Sequence, residues 1–143
     1  MSFASNTKTQ LAHHIAETRM SQLAELSAMV RVCGLLKLKR GAKVDVLIAT
    51  ENAAVARLIF TLFKRLFKRQ TEVVVKKNHS LKKHHTYEIH VEDALEMLVD
   101  LGILRNDDGL EIEDGLPQKL VKSDEGKRAY IRGVFLGSGS ISD

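Results

Sequence analysis

Apolar side chains at Val55, Leu58, Ile59, Leu62, Phe63, Leu66 and Phe67 recur every third or fourth place along one stretch. That spacing aligns them on one face of an α-helix. No other feature constrains the chain as strongly, because so broad a stripe has to be buried against an apolar surface of its own width. The flanking segments offer one. In "LLKLKRGAKVDVLIAT", Leu36 and Leu38 alternate with Lys37 and Lys39, while Val44, Val46 and Ile48 alternate with Lys43, Asp45 and Leu47. A period of two marks strands, and Arg40-Gly41-Ala42 supplies the turn of a hairpin. "TEVVVKK" (71 to 77) and "TYEIHV" (86 to 91) form a second strand pair across the polar loop "NHSLKKHH".

The rest of the chain reads as helix. Residues 5 to 17 carry Leu11 and Ile15 on one side, with Ser5 or Asn6 as cap; residues 22 to 33 follow and stop at Gly34. Glu92 to Leu101 forms a helix with Asp93 near its positive end and Gly102 as its stop. A short helical or turn-rich connection leads to a last helix in "RAYIRGVFLGSGSISD". The order α-α-β-β-α-β-β-α, a connection, then α predicts an α+β fold, an antiparallel sheet with helices on one face. The open face would carry Lys37, Lys39, Lys43, Asp45, Lys76, Thr86, Glu88 and His90, a polar and mostly basic surface.

Charge is unevenly spread. From Arg57 to His85 nine lysines and arginines face one acid, Glu72, whereas from Glu92 to Glu125 eleven acids face Arg105, Lys119 and Lys122. Such basic blocks attract polyanions. Arg57, Lys64, Arg65 and Lys68 fall on the helix that covers the sheet and so read as a solvated surface. The lysines on strands and hairpin tips (Lys37, Lys39, Lys43, Lys76, Lys77, Lys82 and Lys83), together with Arg40, are the candidates for phosphate contact. Glu88 and Asp45 on the same face oppose such contacts.

No apolar run reaches the length of a membrane span, and the N-terminus lacks the basic and apolar regions of a signal peptide. The single cysteine, Cys33, excludes an internal disulfide and fits a reducing cytoplasm. His79, His84, His85 and His90 are close in sequence, but they have no cysteine among them and lie beside Lys82 and Lys83, a poor setting for a metal. "GSGS" at 137 to 140 lacks the Lys-Ser/Thr of a phosphate loop. Cys33 reads as an inert thiol at a helix end, and no cofactor is expected.

A weak internal echo remains. "LSAMVRVCG" (26 to 34) aligns with "IRGVFLGSG" (131 to 139), with small residues at the third place, Ala28 and Gly133, and glycine last. Small residues let two helices approach closely, which gives Ala28, Gly34, Gly133 and Gly137 a packing role. The two nonapeptides resemble degenerate copies of the motif of LAGLIDADG homing endonucleases. With "MSF", "LAEL", "TENAAVARLIF", "LLKLKRG" and "RAYIRGVFLGSGSISD", the chain is similar over its whole length to the WhiA family of bacterial regulators.

That resemblance implies a LAGLIDADG-like domain in which two α-β-β-α-β-β-α halves pair their motif helices and a β-saddle sits on DNA. It also implies a C-terminal helix-turn-helix, which is expected to lie outside these residues. Residues 1–104 would then be a first half, 105–126 a connection and 127–143 the opening of a second half, so the chain is expected to be a piece of a longer protein. Cleavage in the endonucleases needs an acid at the eighth place of each motif, to hold divalent metals. Those places hold Cys33 and Ser138, and the sixth places hold Arg31 and Leu136. The expectation is a binder without enzymatic activity or metal, cytoplasmic and on the nucleoid, in transcription, cell division, chromosome segregation and sporulation. DNA is the expected partner, beside proteins of the transcription or division machinery. A protein-interaction module and a residual metal-dependent endonuclease are the alternatives. Self-association into a homodimer is expected as well, with Ala28 and Gly133 near the contact.

Overall fold

A computed structural model describes residues 3–77 and 85–138. The chain runs α1 (Phe3–Ala12), α2 (Arg19–Cys33), β1 (Gly34–Lys39), β2 (Lys43–Thr50), α3 (Ala53–Phe67), β3 (Glu72–Lys77), β4 (His85–Val91), α4 (Leu95–Asp100), β5 (Leu104–Arg105), β6 (Glu111–Ile112) and α5 (Asp124–Gly137). Its main sheet is antiparallel in the order β1-β2-β4-β3. Register places Leu36, Val46 and Val91 in one row across it, and Gly34, Ile48, Ile89 and Val73 in the next.

These rows form the inner face. Val44, Val46, Ile48 and Ile89 are buried there against Val55, Leu58, Ile59, Leu62 and Phe63 of α3 and Leu26, Met29 and Val30 of α2. Asn52 starts α3 by accepting hydrogen bonds from the backbone N–H groups of Ala54 and Val55. Arg57, Lys64, Arg65 and Lys68 are exposed on its far side. The helix is therefore laid out as its stripe requires.

α2 is a different kind of helix. Residues 21 to 30 are all buried, including Ser21, Gln22, Glu25 and Ser27, because α3 and the sheet cover one side and α5 the other. A helix enclosed on both sides has no wet face to carry a polar stripe. Ser27 donates to the carbonyl of Leu101 at 2.6 Å, and Arg31 donates to the carbonyl of Gly102 at 2.8 Å. α2 thus holds the α4 end in place.

Several boundaries differ from the sequence reading. The first helix spans Phe3–Ala12 rather than 5 to 17, so Ser5 and Asn6 are interior and not caps. The second begins at Arg19 rather than 22, because the Thr18 side chain caps it by accepting from the Ser21 N–H at 3.1 Å. α4 begins at Leu95 rather than at Glu92. Asp93 N–H donates to Asp45 Oδ1 at 3.1 Å and Ala94 N–H to the Val44 carbonyl at 2.7 Å, which ties residues 93–94 to β2 with Asp93 at φ +50°. The connection after Leu104 contains the two-residue hairpin β5–β6, turning at Gly109 with φ +94°. Gly102 is the stop expected for α4: it has φ +72°, and an added Cβ would lie 2.7 Å from Pro117 Cβ.

Candidate nucleic-acid interface

Among the described residues, no helix covers the opposite side of the sheet. Register assigns to it Leu35, Lys37 and Lys39 from β1, Lys43, Asp45, Leu47 and Ala49 from β2, Thr86, Glu88 and His90 from β4, and Glu72, Val74 and Lys76 from β3. Each residue expected there is on this face. Its character is less basic than its lysines suggest, for two reasons.

First, acids on the face neutralise part of it. Lys39 Nζ lies 2.5 Å from Asp45 Oδ2. The hydrogen bond between them raises the Lys39 ammonium above its ordinary pKa and, with the Asp93 N–H, holds the Asp45 carboxyl below its own. Glu88 sits between Lys76 Nζ at 3.3 Å and His90 Nε2 at 3.1 Å. Burial alone would raise the Glu88 carboxyl, but hydrogen bonds from His90 and Lys76 hold it below the usual value. Second, the face is partly apolar: Leu35 is exposed, and Leu47 and Val74 are half-buried. The expectation of a polar, mostly basic surface is corrected accordingly.

Lys37, Arg40 and Lys43 are less engaged, although register sets Lys37 directly opposite Asp45, whose carboxyl it helps to hold down. They cluster at the β1–β2 end, Arg40 being exposed in the turn where Gly41 and Ala42 take φ of +77° and +58°. No ion pair among the described residues involves them. Beyond Lys43 a cleft of about 450 Å³, lined by Phe67, Arg69, Asp93, Glu96 and Asp100 among others, brings acids near this corner. Lys77 pairs with His85 in the row parity of Val73 and Val75 and so belongs to the other face. Lys82 and Lys83 lie outside the described residues, as do His79 and His84.

The second element of the site is the pair α2 and α5. They run parallel: Glu125 near the start of α5 accepts from Ser21 Oγ at 3.0 Å, and Gly137 at its end lies against Val32 and Cys33. A Cβ added at Gly133 would lie 2.7 Å from Ala28 Cβ and would also strike the Glu25 carbonyl. At Gly137 the same atom would lie 3.2 Å from Val32 Cβ and 3.5 Å from Cys33 Sγ. Gly34 is different, since its added Cβ would meet the Val30 carbonyl of its own helix. It takes an extended φ of −100° and lets β1 leave α2 directly. Ala28 and Gly133, expected near a contact between two copies, meet each other within one chain.

Between these helices lies an ion pair that the sequence reading missed. Arg132 Nε donates to Glu25 Oε2 at 2.7 Å; Glu25 is fully buried and the Arg132 side chain is 25% exposed. Glu25 Oε1 has no hydrogen-bond partner among the described residues, and burial raises this carboxyl against the pull of Arg132. A glutamate inside the apolar run of "QLAELSAMV" was the available signal.

At the far ends, Cys33 Sγ donates to the Met29 carbonyl at 3.2 Å, and burial pushes its thiol up to about 11. Ser138 caps α5, its backbone N–H donating to the Val134 carbonyl at 2.9 Å. A neutral thiol and a hydroxyl offer no hard anionic ligand there. Among the described residues, no three His, Cys, Asp or Glu side chains are grouped so as to hold a metal ion, and no helix is long and apolar enough to cross a membrane.

Comparison with known proteins gives this geometry its relatives. Residues 19–104 match the family model of the WhiA N-terminal LAGLIDADG-like domain. The "Probable cell division protein WhiA" of Clostridium acetobutylicum is 38% identical over the whole of this chain and 46% of its own length, so the chain spans about half of that relative. Among solved structures, the N-terminal LAGLIDADG domain of DUF199/WhiA superposes with a TM-score of 0.67 at 18% identity, over 95% of this chain and 58% of that one. I-DmoI, solved in complex with DNA and Mn, shares the fold at a TM-score of 0.51 and 12% identity, over 84% of this chain and 63% of its own. The α+β, LAGLIDADG-like architecture is therefore shown, and the chain belongs to the WhiA family.

Proposed function

We propose that this chain is the non-cleaving, DNA-contacting part of a bacterial regulator acting in transcription, cell division and chromosome segregation, as well as sporulation. Residues 1–104 serve as a first LAGLIDADG-like half, 105–126 as a connection, and 127–143 open a second half. Its place is the cytoplasm, on the nucleoid. One observation carries the reading: among the described residues, a sheet face that no helix covers ends in Lys37, Arg40 and Lys43, three cations in no close ion pair, beside helix ends that bear Cys33 and Ser138. The relationship of fold to I-DmoI, itself solved in complex with DNA and Mn, supports DNA as the partner.

Contact is then made mainly from the hairpin corner, through phosphates, which position a protein without reading sequence. The middle of the face contributes little charge, because Asp45 and Glu88 already hold Lys39 and Lys76. A second reading, a protein-binding saddle, is favoured by Leu35, Leu47 and Val74 on the same face.

Titration of duplex DNA by fluorescence anisotropy, from 20 mM salt upward, tests this. Each phosphate contact adds about 0.9 to the slope of log affinity against log salt. Replacing Lys37, Arg40 and Lys43 by alanine should therefore lower the slope by roughly 2 to 3. No detectable binding at 20 mM salt sinks the DNA reading in favour of the protein-binding one, and an unchanged slope in the variant removes the hairpin corner as the contact. Reproducible nicking of plasmid with Mg²⁺ overturns the absence of cleavage.

A further inference from the structure

α2 and α5 are parallel neighbours, so their dipoles add instead of cancelling, and both negative ends come together where Cys33 and Ser138 sit. Each end also leaves carbonyls without helical partners. The last turn of α5 carries no basic residue, and Arg31 in the last turn of α2 is turned away to the Gly102 carbonyl. Two like poles in contact need a counter-charge from elsewhere.

Lys8 of α1 provides it. Its ammonium donates a hydrogen bond to the Ser138 carbonyl and lies 5.7 Å from the centre of the Phe135 ring, a cation–π distance. It also acts on the Cys33 thiol, opposing the rise that burial causes, so its field reaches the end of α2 as well. The helix bearing it is fixed independently: Asn52 Nδ2 donates to the Ser5 carbonyl at 3.3 Å and to Thr9 Oγ1 at 3.1 Å, while its Oδ1 caps α3. Ser5, Lys8 and Thr9 share about one turn of α1, so docking that helix on α3 aims Lys8 at the paired ends.

We infer that Lys8 is a built-in cation for the converged C-termini of α2 and α5, its one ammonium serving as the counter-charge of both helix ends. The inference stands on helix polarity and the placement of Lys8. It does not depend on whether the sheet binds DNA, and its test reads stability and metal affinity only.

Lys8→Met keeps the apolar stem and the contact with Phe135 while deleting the charge. It should lower the melting temperature of the 143-residue chain by about 2 to 8 °C. Lys8→Arg should restore most of the loss. The second arm puts carboxylates at the helix ends. In Cys33→Asp/Ser138→Asp, Lys8 should pair with the new acids and keep Mn²⁺ affinity low; adding Lys8→Met should tighten it roughly tenfold or more, read by the paramagnetic resonance of free Mn²⁺. A Lys8→Met protein as stable as the parent overturns the inference, and so does equal Mn²⁺ affinity with and without Lys8. Should the acid variants fail to fold, the Met and Arg variants alone decide the point.

Discussion

Gly133→Ala offers a direct measure of how closely α2 and α5 approach. In a solvated helix the change should help, because alanine is favoured over glycine by about 1 kcal/mol. Here the new methyl would lie 2.7 Å from Ala28 Cβ and would press on the Glu25 carbonyl. Neither neighbour can move aside: one is backbone in the middle of α2, and Ala28 is fully buried. Overpacking of this kind costs about 1–3 kcal/mol, and the upper half of that range applies where only rigid groups are met. After the propensity gain, a net loss of about 1–2 kcal/mol remains, equivalent to a drop of roughly 3 to 8 °C for a chain of this size. Thermal unfolding followed by circular dichroism reads this, and urea melts give the same difference at 25 °C. Ala28→Gly in the same background removes one of the two obstructions and should recover part of the loss beyond its own cost. A Gly133→Ala protein that melts at or above the parent temperature would refute the close-packed seam.

The buried carboxyl of Glu25 should shape the pH profile. Because its pKa is raised in the folded state, that state still holds a proton where the unfolded chain has released it; stability should therefore fall by up to about 1.4 kcal/mol per pH unit as pH rises from the ordinary carboxyl value of 4.5 toward the raised one. Glu25→Gln should lose this segment of the profile, and an unchanged profile would show that Glu25 titrates normally. Ile131, Val134 and Phe135 present exposed apolar surface on the outer side of α5, at 67%, 36% and 36% exposure. Reversible self-association through them is expected at high concentration, weakened by Ile131→Glu, whereas a strictly monomeric mass by light scattering up to the solubility limit would rule it out.

What could be read from the sequence was whatever is local and periodic. The α3 stripe is one case, where a single helix meets a single sheet and every third or fourth side chain has the same surroundings. The parity of β1 and β2 is another: it placed Lys37, Lys39, Lys43 and Asp45 on one face, and the observed register keeps them there. Extending that parity by one step would have added Leu35 and Leu47. The hairpin β5–β6 escaped because two residues per strand are too few to alternate; only Asp107-Asp108-Gly109 hinted at a turn. α2 was legible as a helix but its burial on both sides was not, since that depends on α5, which arrives a hundred residues later. The Glu25–Arg132 and Lys8–Ser138 contacts share this cause. Each joins residues more than a hundred places apart, and nothing in either neighbourhood names the other. Ion pairing within the sheet face is intermediate, because register decides it: Lys39 faces Lys43 across the strands and reaches Asp45 only along the diagonal.

The echo between residues 26–34 and 131–139 also takes a different meaning from the burial of its members. Leu26, Met29 and Val30 are buried in the core, while Ile131, Val134 and Phe135, the matching residues of α5, are exposed in part or in large measure. Similar letters therefore occupy dissimilar surroundings, and core packing is not what the two segments have in common. The shared element is the seam, in which Ala28 and Gly133 meet and Gly137 rests on Val32. That seam depends on small side chains along the helices, and of the residues that end them Cys33 alone touches it, beside Gly137. Its closest approach, between Gly133 and Ala28, lies about a turn or more away from Cys33 and Ser138. The helix ends need only compensation for two like poles, which one ammonium on a neighbouring helix can give. In physical terms the scaffold and the metal chemistry are thus separable, and a chain can lose the second at little cost to the first.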